Sequence, residues 1–124
     1  MSMEKISLDL DHFYGTQFWY KVSPIVKGVI TDGVKYVVEK CEAGGLMQDI
    51  LMDIAHKKKI RDCVDDGMLV CKVDTYDKKQ IVYEDGNHHK VGGYKLIGYK
   101  PFEVDLWVSW IDDGVPCIYL PSER

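Results

Sequence analysis

Met68-Leu69-Val70-Cys71-Lys72-Val73 marks a change of periodicity in this chain. Ahead of it, apolar residues recur at helical spacing. From it onward, β-branched and aromatic runs are separated by short turns. The runs that follow are Gln80-Ile81-Val82-Tyr83-Glu84, Tyr94-Lys95-Leu96-Ile97-Gly98-Tyr99, Leu106-Trp107-Val108-Ser109-Trp110-Ile111 and Pro116-Cys117-Ile118-Tyr119-Leu120. Each is rich in residues that suit a pleated, half-buried surface. Asp77-Lys78-Lys79, Asp85-Gly86-Asn87 and Asp112-Asp113-Gly114 supply the turns between them. Asp-Gly is a hairpin signal because glycine and its neighbour take positive φ at little cost.

Working back from Met68, Val34, Val37, Val38 and Cys41 recur at i, i+3, i+4 and i+7, the stripe of one helix. Thr31 or Asp32 is its natural N-cap, a side-chain oxygen accepting from the free amides of the first turn. Gly44-Gly45 is expected to end it. A second stripe, Leu46, Ile50, Leu51 and Ile54, predicts a second helix. Its last turn would carry Lys57, Lys58, Lys59 and Arg61, cations suited to the negative end of the helix dipole. One earlier strand, Gln17 to Val22, is closed by Pro24. A strand, two helices and then a series of strands predict an α+β fold: an antiparallel β-sheet with two consecutive α-helices packed on one face.

At 124 residues the chain reads as a single compact domain, 1–124. The formal charge of -4 carries no basic excess, which argues against a nucleic-acid footprint. No apolar run approaches the ~18 residues of a membrane helix. Met1-Ser2-Met3-Glu4-Lys5 lacks the apolar core of a secretion signal, so a cytoplasmic location is expected. Cys41, Cys63, Cys71 and Cys117 are scattered, without a C-x-x-C pair, and read as reduced, mostly buried thiols. Cys63, close to Arg61 and the lysines, is the one expected nearest the surface.

The stretch from Glu84 to Gly93 raises the question of a metal, because His88 and His89 follow Glu84 and Asp85. Adjacent residues of a strand point to opposite faces, and a zinc site needs about four ligands. The stretch is therefore read as a hairpin connection, with no metal and no cofactor expected. His12, beside Asp11, and His56 are isolated. No G-x-S-x-G, H-E-x-x-H or Walker-type loop occurs, so no catalytic residue is assigned.

Two sets of side chains remain as candidates. Thr16, Thr31, Asp32 and Tyr36 could gather hydroxyls and a carboxylate near a helix N-terminus, where anions are favoured. The same residues serve equally well as turn and cap. Trp19, Trp107 and Trp110 are candidate interface residues, since aromatics concentrate binding energy. Trp107 and Trp110 are separated by an odd number of positions and cannot share a face of a regular strand.

Phe13-Tyr14-Gly15-Thr16, Thr31-Asp32-Gly33-Val34-Lys35-Tyr36 and Leu120-Pro121-Ser122-Glu123-Arg124, in that order, resemble an uncharacterised family of small bacterial proteins. Phages and plasmids carry members too, and the family is classed only as a domain of unknown function. The resemblance spans nearly the whole chain. Its members often carry a tryptophan followed by Leu-Leu/Ile-Asp in the second helix, where this chain has Gly45-Leu46-Met47-Gln48-Asp49. It implies one compact domain and a mobile-element setting, and it supplies no activity. Together these readings lead to an expected non-enzymatic interaction protein, a small inhibitor or accessory factor whose partner is a protein, itself or a host's. The alternative is a small enzyme or anion-binding domain with its site near Thr16, Thr31, Asp32 and Tyr36.

Overall fold

The computed structural model of the protein describes residues 4–112 and 114–124. Asp113 of the expected turn and Met1 to Met3 of the expected leaderless start lie outside the described residues. Two short strands, β1 (Tyr20–Lys21) and β2 (Val29–Ile30), precede three helices, α1 (Asp32–Cys41), α2 (Gly44–His56) and α3 (Lys58–Asp65). Five strands follow: β3 (Leu69–Asp74), β4 (Gln80–Glu84), β5 (Lys90–Lys95), β6 (Glu103–Asp112) and β7 (Val115–Tyr119), and then a 3-10 turn, Pro121–Glu123. The strands form one sheet in the order β1-β2-β7-β6-β3-β4-β5. The fold is α+β. The sheet is mixed rather than wholly antiparallel, because β2 runs parallel to β7 with Val29 opposite Cys117.

The three helices lie on one face. Alternation along β6 places Val104, Leu106 and Val108 in the core with Leu46, Met47, Ile50, Leu51 and Ile54 of α2. The partners of those β6 residues, Val73, Cys71 and Leu69 of β3, are buried in the same core. Val70 and Cys117 are also buried, at 4% and 2% exposure, yet neither belongs to that core. They lie on the opposite, helix-free face. There Val70 stands beside Trp107, and Trp107 beside Tyr119.

Several expected boundaries move. Gly44-Gly45 does not stop α1; Glu42 takes the left-handed position at φ 54° and the two glycines open α2. The second helix breaks at Lys57, whose extended backbone (φ −113°, ψ 113°) separates it from α3. Lys58, Lys59 and Arg61 thus belong to a third helix, the one bearing Ile60, Cys63 and Val64. Arg61 still serves the end of α2: its guanidinium donates to the Ile54 and Ala55 carbonyls. Cys63 is buried, not near the surface, and donates to the Lys59 carbonyl at 3.4 Å. The strand expected over Gln17 to Val22 shrinks to Tyr20–Lys21, and β5 starts four residues earlier than Tyr94 and ends before Leu96.

Candidate functional site

The histidine stretch closes the β4–β5 hairpin. Asp85 holds it: its carboxylate accepts from the amides of Asn87 at 2.8 Å and His89 at 2.9 Å. Those amides, His89 first, keep the Asp85 carboxyl below the usual carboxylate range. His88 has φ 67°, a left-handed position within the turn. Its ring faces Glu84 at 3.7 Å, whereas the His89 ring faces Asp85 at 3.3 Å. The two imidazoles therefore address different carboxylates rather than converging on one point.

Thr16, Thr31 and Asp32 do converge, at the N-terminus of α1. Thr31 is the N-cap; its Oγ1 accepts from the Val34 amide at 3.4 Å. Glu123, one turn beyond β7, completes the cap. Its carboxylate accepts from the Thr31 hydroxyl at 2.5 Å, the Gly33 amide at 3.0 Å and the Leu120 amide at 2.9 Å. A carboxylate at a helix N-terminus meets both unsatisfied amides and the positive end of the dipole. A Cβ at position 33 would lie 2.5 Å from Leu120 Cδ1 and 2.9 Å from the Glu123 carboxyl carbon, so these side chains would have to shift to admit it.

Asp32 ties in the preceding segment. Its carboxylate accepts from the Gln17 amide at 2.8 Å and the Tyr20 hydroxyl at 3.0 Å. Its own amide donates to Thr16 Oγ1 at 2.9 Å, while the Thr16 hydroxyl donates to the Phe18 carbonyl at 2.6 Å. The Gln17 amide, ahead of the Tyr20 and Thr16 bonds, lowers the Asp32 carboxyl below its ordinary value against an opposing burial effect. Tyr36, one turn along, faces another partner: its hydroxyl accepts from the Asp9 amide at 3.2 Å and its ring lies 5.4 Å from that of Phe13. Thus Thr16, Thr31 and Asp32 meet, and Tyr36 fastens the stretch that leads to them. Gln17, Tyr20 and Glu123 were not singled out from the sequence. For Glu123 a signal existed, since Leu120 to Glu123 has an acid three residues after a strand end, the spacing of a reciprocal cap.

The three tryptophans separate. Trp110 lies on the helix side of β6, packs partly on the core and donates its indole N–H to Asp65 at 2.9 Å. Trp107 lies on the helix-free face, edge-on to Tyr119 at 6.2 Å between ring centroids. Trp19, 53% exposed, reaches the Cys117 thiol on the same face. Burial, with the Glu123 carboxylate behind it, pushes that thiol up to about 11, so it is protonated and unreactive at neutral pH. Ile111, 49% exposed, falls in the register shift between Trp110 and Asp112.

Residues 4–124 match a family described as "Family of unknown function (DUF6876)", and the chain belongs to it. Neither a curated protein nor a solved structure matches the chain. Among the described residues no helix is long and apolar enough to cross a membrane.

Proposed function

We propose that this member of the DUF6876 family is a non-enzymatic protein-interaction module of a bacterium or mobile element, working in the cytoplasm through the helix-free face of its sheet. The observation that carries this reading is the group of Trp107, Tyr119 and Trp19 on a face no helix covers. A seven-stranded sheet with one helix-free, partly aromatic face has the composition of a contact surface. The partner is a protein, a second copy or a host protein. The rival reading places a small enzyme or anion-binding site at Thr16, Thr31, Asp32 and Tyr36. It is less well supported, because the amides of Asp32, Gly33 and Val34 already donate to the chain's own oxygens and the Glu123 carboxylate fills the anion position.

A displayed library of random peptides, selected on the wild type, tests this. Binders should be lost with Trp107→Glu while circular dichroism shows the fold retained. Trp110→Glu should instead lower the melting temperature, since it places a charge against the core and discards the Asp65 bond. Light scattering on the same samples reports whether the chain pairs with itself. Binders indifferent to Trp107→Glu but lost with Thr16→Ala would transfer the function to the helix corner.

A further inference from the structure

Resting on that reading, we infer that the partner is a second copy of this chain, paired face to face through the helix-free surface of β6, β3, β4 and β5 about a two-fold axis parallel to the strands. The strand registers set the residues of this surface in rows that cross the four strands. One row runs from Trp107 on β6 to Lys90 on β5, the next from Asp105 to Gly93, and the third from Glu103 to Lys95. Every row thus begins at β6 with an aromatic or acidic residue, and two of the three end at β5 with a lysine. Charge is mixed over the face as a whole but segregated along its rows.

That order is self-complementary. In a two-fold pair, when residue i of one copy meets residue j of the other, j also meets i. An axis along the strands, between β3 and β4, lays each row on its own reverse, so that β6 covers β5 of the second copy. Glu103 and Asp105 then stand against Lys95 of the second copy, and Trp107 against the aliphatic stem of its Lys90. Both contacts occur twice. Three of these groups await a partner: among the described residues Asp105, Lys90 and Lys95 form no ion pair within the chain. Lys72, across from Asp105, turns to Glu84 at 3.6 Å, while Glu103 has Lys5 at 2.9 Å. Beside the axis, Lys78 and Asp74 line one hollow and offset each other. Packed sheets lie about 10 Å apart and within about 30° of each other, a gap that lysine and glutamate side chains reach across. An axis across the strands would instead set Lys90 against Lys95 of the second copy, like charge against like.

Light scattering and sedimentation of the full chain over a concentration series test this. The wild type should pass from monomer to dimer as concentration rises, and Trp107→Glu should remain monomeric. The double variants Glu103→Lys/Asp105→Lys and Lys90→Glu/Lys95→Glu each set like charges against each other, so each should associate at least about tenfold more weakly. Mixed in equal amounts, they restore opposite charges in both halves of the contact, and the dimer should return. All four positions are exposed, so circular dichroism should show the fold retained in both variants. A wild type still monomeric at about 1 mM, a dimer indifferent to both reversals, or a mixture that fails to pair would overturn the inference. Trp107-dependent peptides bound by a monomeric wild type would leave the interaction surface standing, with a foreign protein as its partner. Absence of both the dimer and any Trp107-dependent peptide would overturn the two readings together.

Discussion

Gly33→Ala sets two effects of opposite sign against each other. In a helix, alanine is favoured over glycine by up to about 1 kcal/mol, so an unconstrained site would gain stability. At position 33 the new Cβ meets Leu120 Cδ1 at 2.5 Å and Glu123 Oε1 at 2.9 Å, where carbon contacts settle near 3.5–4.0 Å. Something must retreat by roughly 1 Å. Leu120 is only 1% exposed and belongs to the core, so it has nowhere to go without overpacking, at about 1–3 kcal/mol. Displacing Glu123 instead breaks hydrogen bonds to a charged group, each contributing roughly 1.5–3 kcal/mol. Either route outweighs the propensity gain, and the expected net loss is about 2 kcal/mol. For a domain of this size that lowers the melting temperature by roughly 6–10 °C. Urea denaturation followed by circular dichroism measures it directly. In a Glu123→Ala background part of the clash is gone, so the same substitution should cost less. A Gly33→Ala variant as stable as the wild type would show that the Leu120–Glu123 turn does not press on α1, and the account of the corner would fail.

Thr31→Ala should destabilise by at least ~1 kcal/mol, since the hydroxyl both caps Val34 and donates to Glu123; an unchanged denaturation midpoint would refute the cap. Asp32 gives a pH signature. Its carboxyl is held below its ordinary value in the folded state, so its contribution is present above that value and is lost as pH falls through the lower, folded one. Thermal stability should therefore fall below about pH 4, and the fall should be shallower in Asp32→Asn; identical acid limbs would remove Asp32 from the account. Melts recorded with and without EDTA should superimpose, because the two histidines of the β4–β5 turn address separate carboxylates. A drop of many degrees would reopen the question of a metal.

The sequence was informative wherever a local rule decided the structure. The turn at Asp85-Gly86 was readable in place because turn chemistry acts over four residues, but the positive φ expected around the glycine falls on His88 instead. The α1 stripe and its cap at Thr31 were readable for the same reason. The opposed faces of Trp107 and Trp110 followed from strand parity alone. What escaped depended on distant partners. Val29–Ile30 is too short to show a strand pattern, and its parallel pairing with β7 requires residues almost ninety positions away to come alongside. The break at Lys57 escaped because Lys57, Lys58, Lys59 and Arg61 suit the cationic last turn of a single helix, and only the extended backbone at Lys57 separates the two. At the α1 corner Thr16, Thr31 and Asp32 were named, but Glu123 was not: the spacing from Leu120 to Glu123 hints at the local cap, and says nothing of the Gly33 amide 90 positions back.

That carboxylate also governs the order in which the molecule can be completed. Glu123 lies 92 positions from the hydroxyl it accepts from. A ribosome therefore releases α1 long before Glu123 exists, and the Gly33 amide and the Thr31 hydroxyl must wait in water for their acceptor. A ten-residue helix without tertiary support is marginal. Its final stabilisation arrives only after β6 and β7 have paired and carried the last turn back across the sheet. Closing so long a loop is slow and yields little until it is finished. The corner thus couples α1 to a residue made 92 positions later, and a nascent chain stalled short of Leu120 should still be open to proteases at α1.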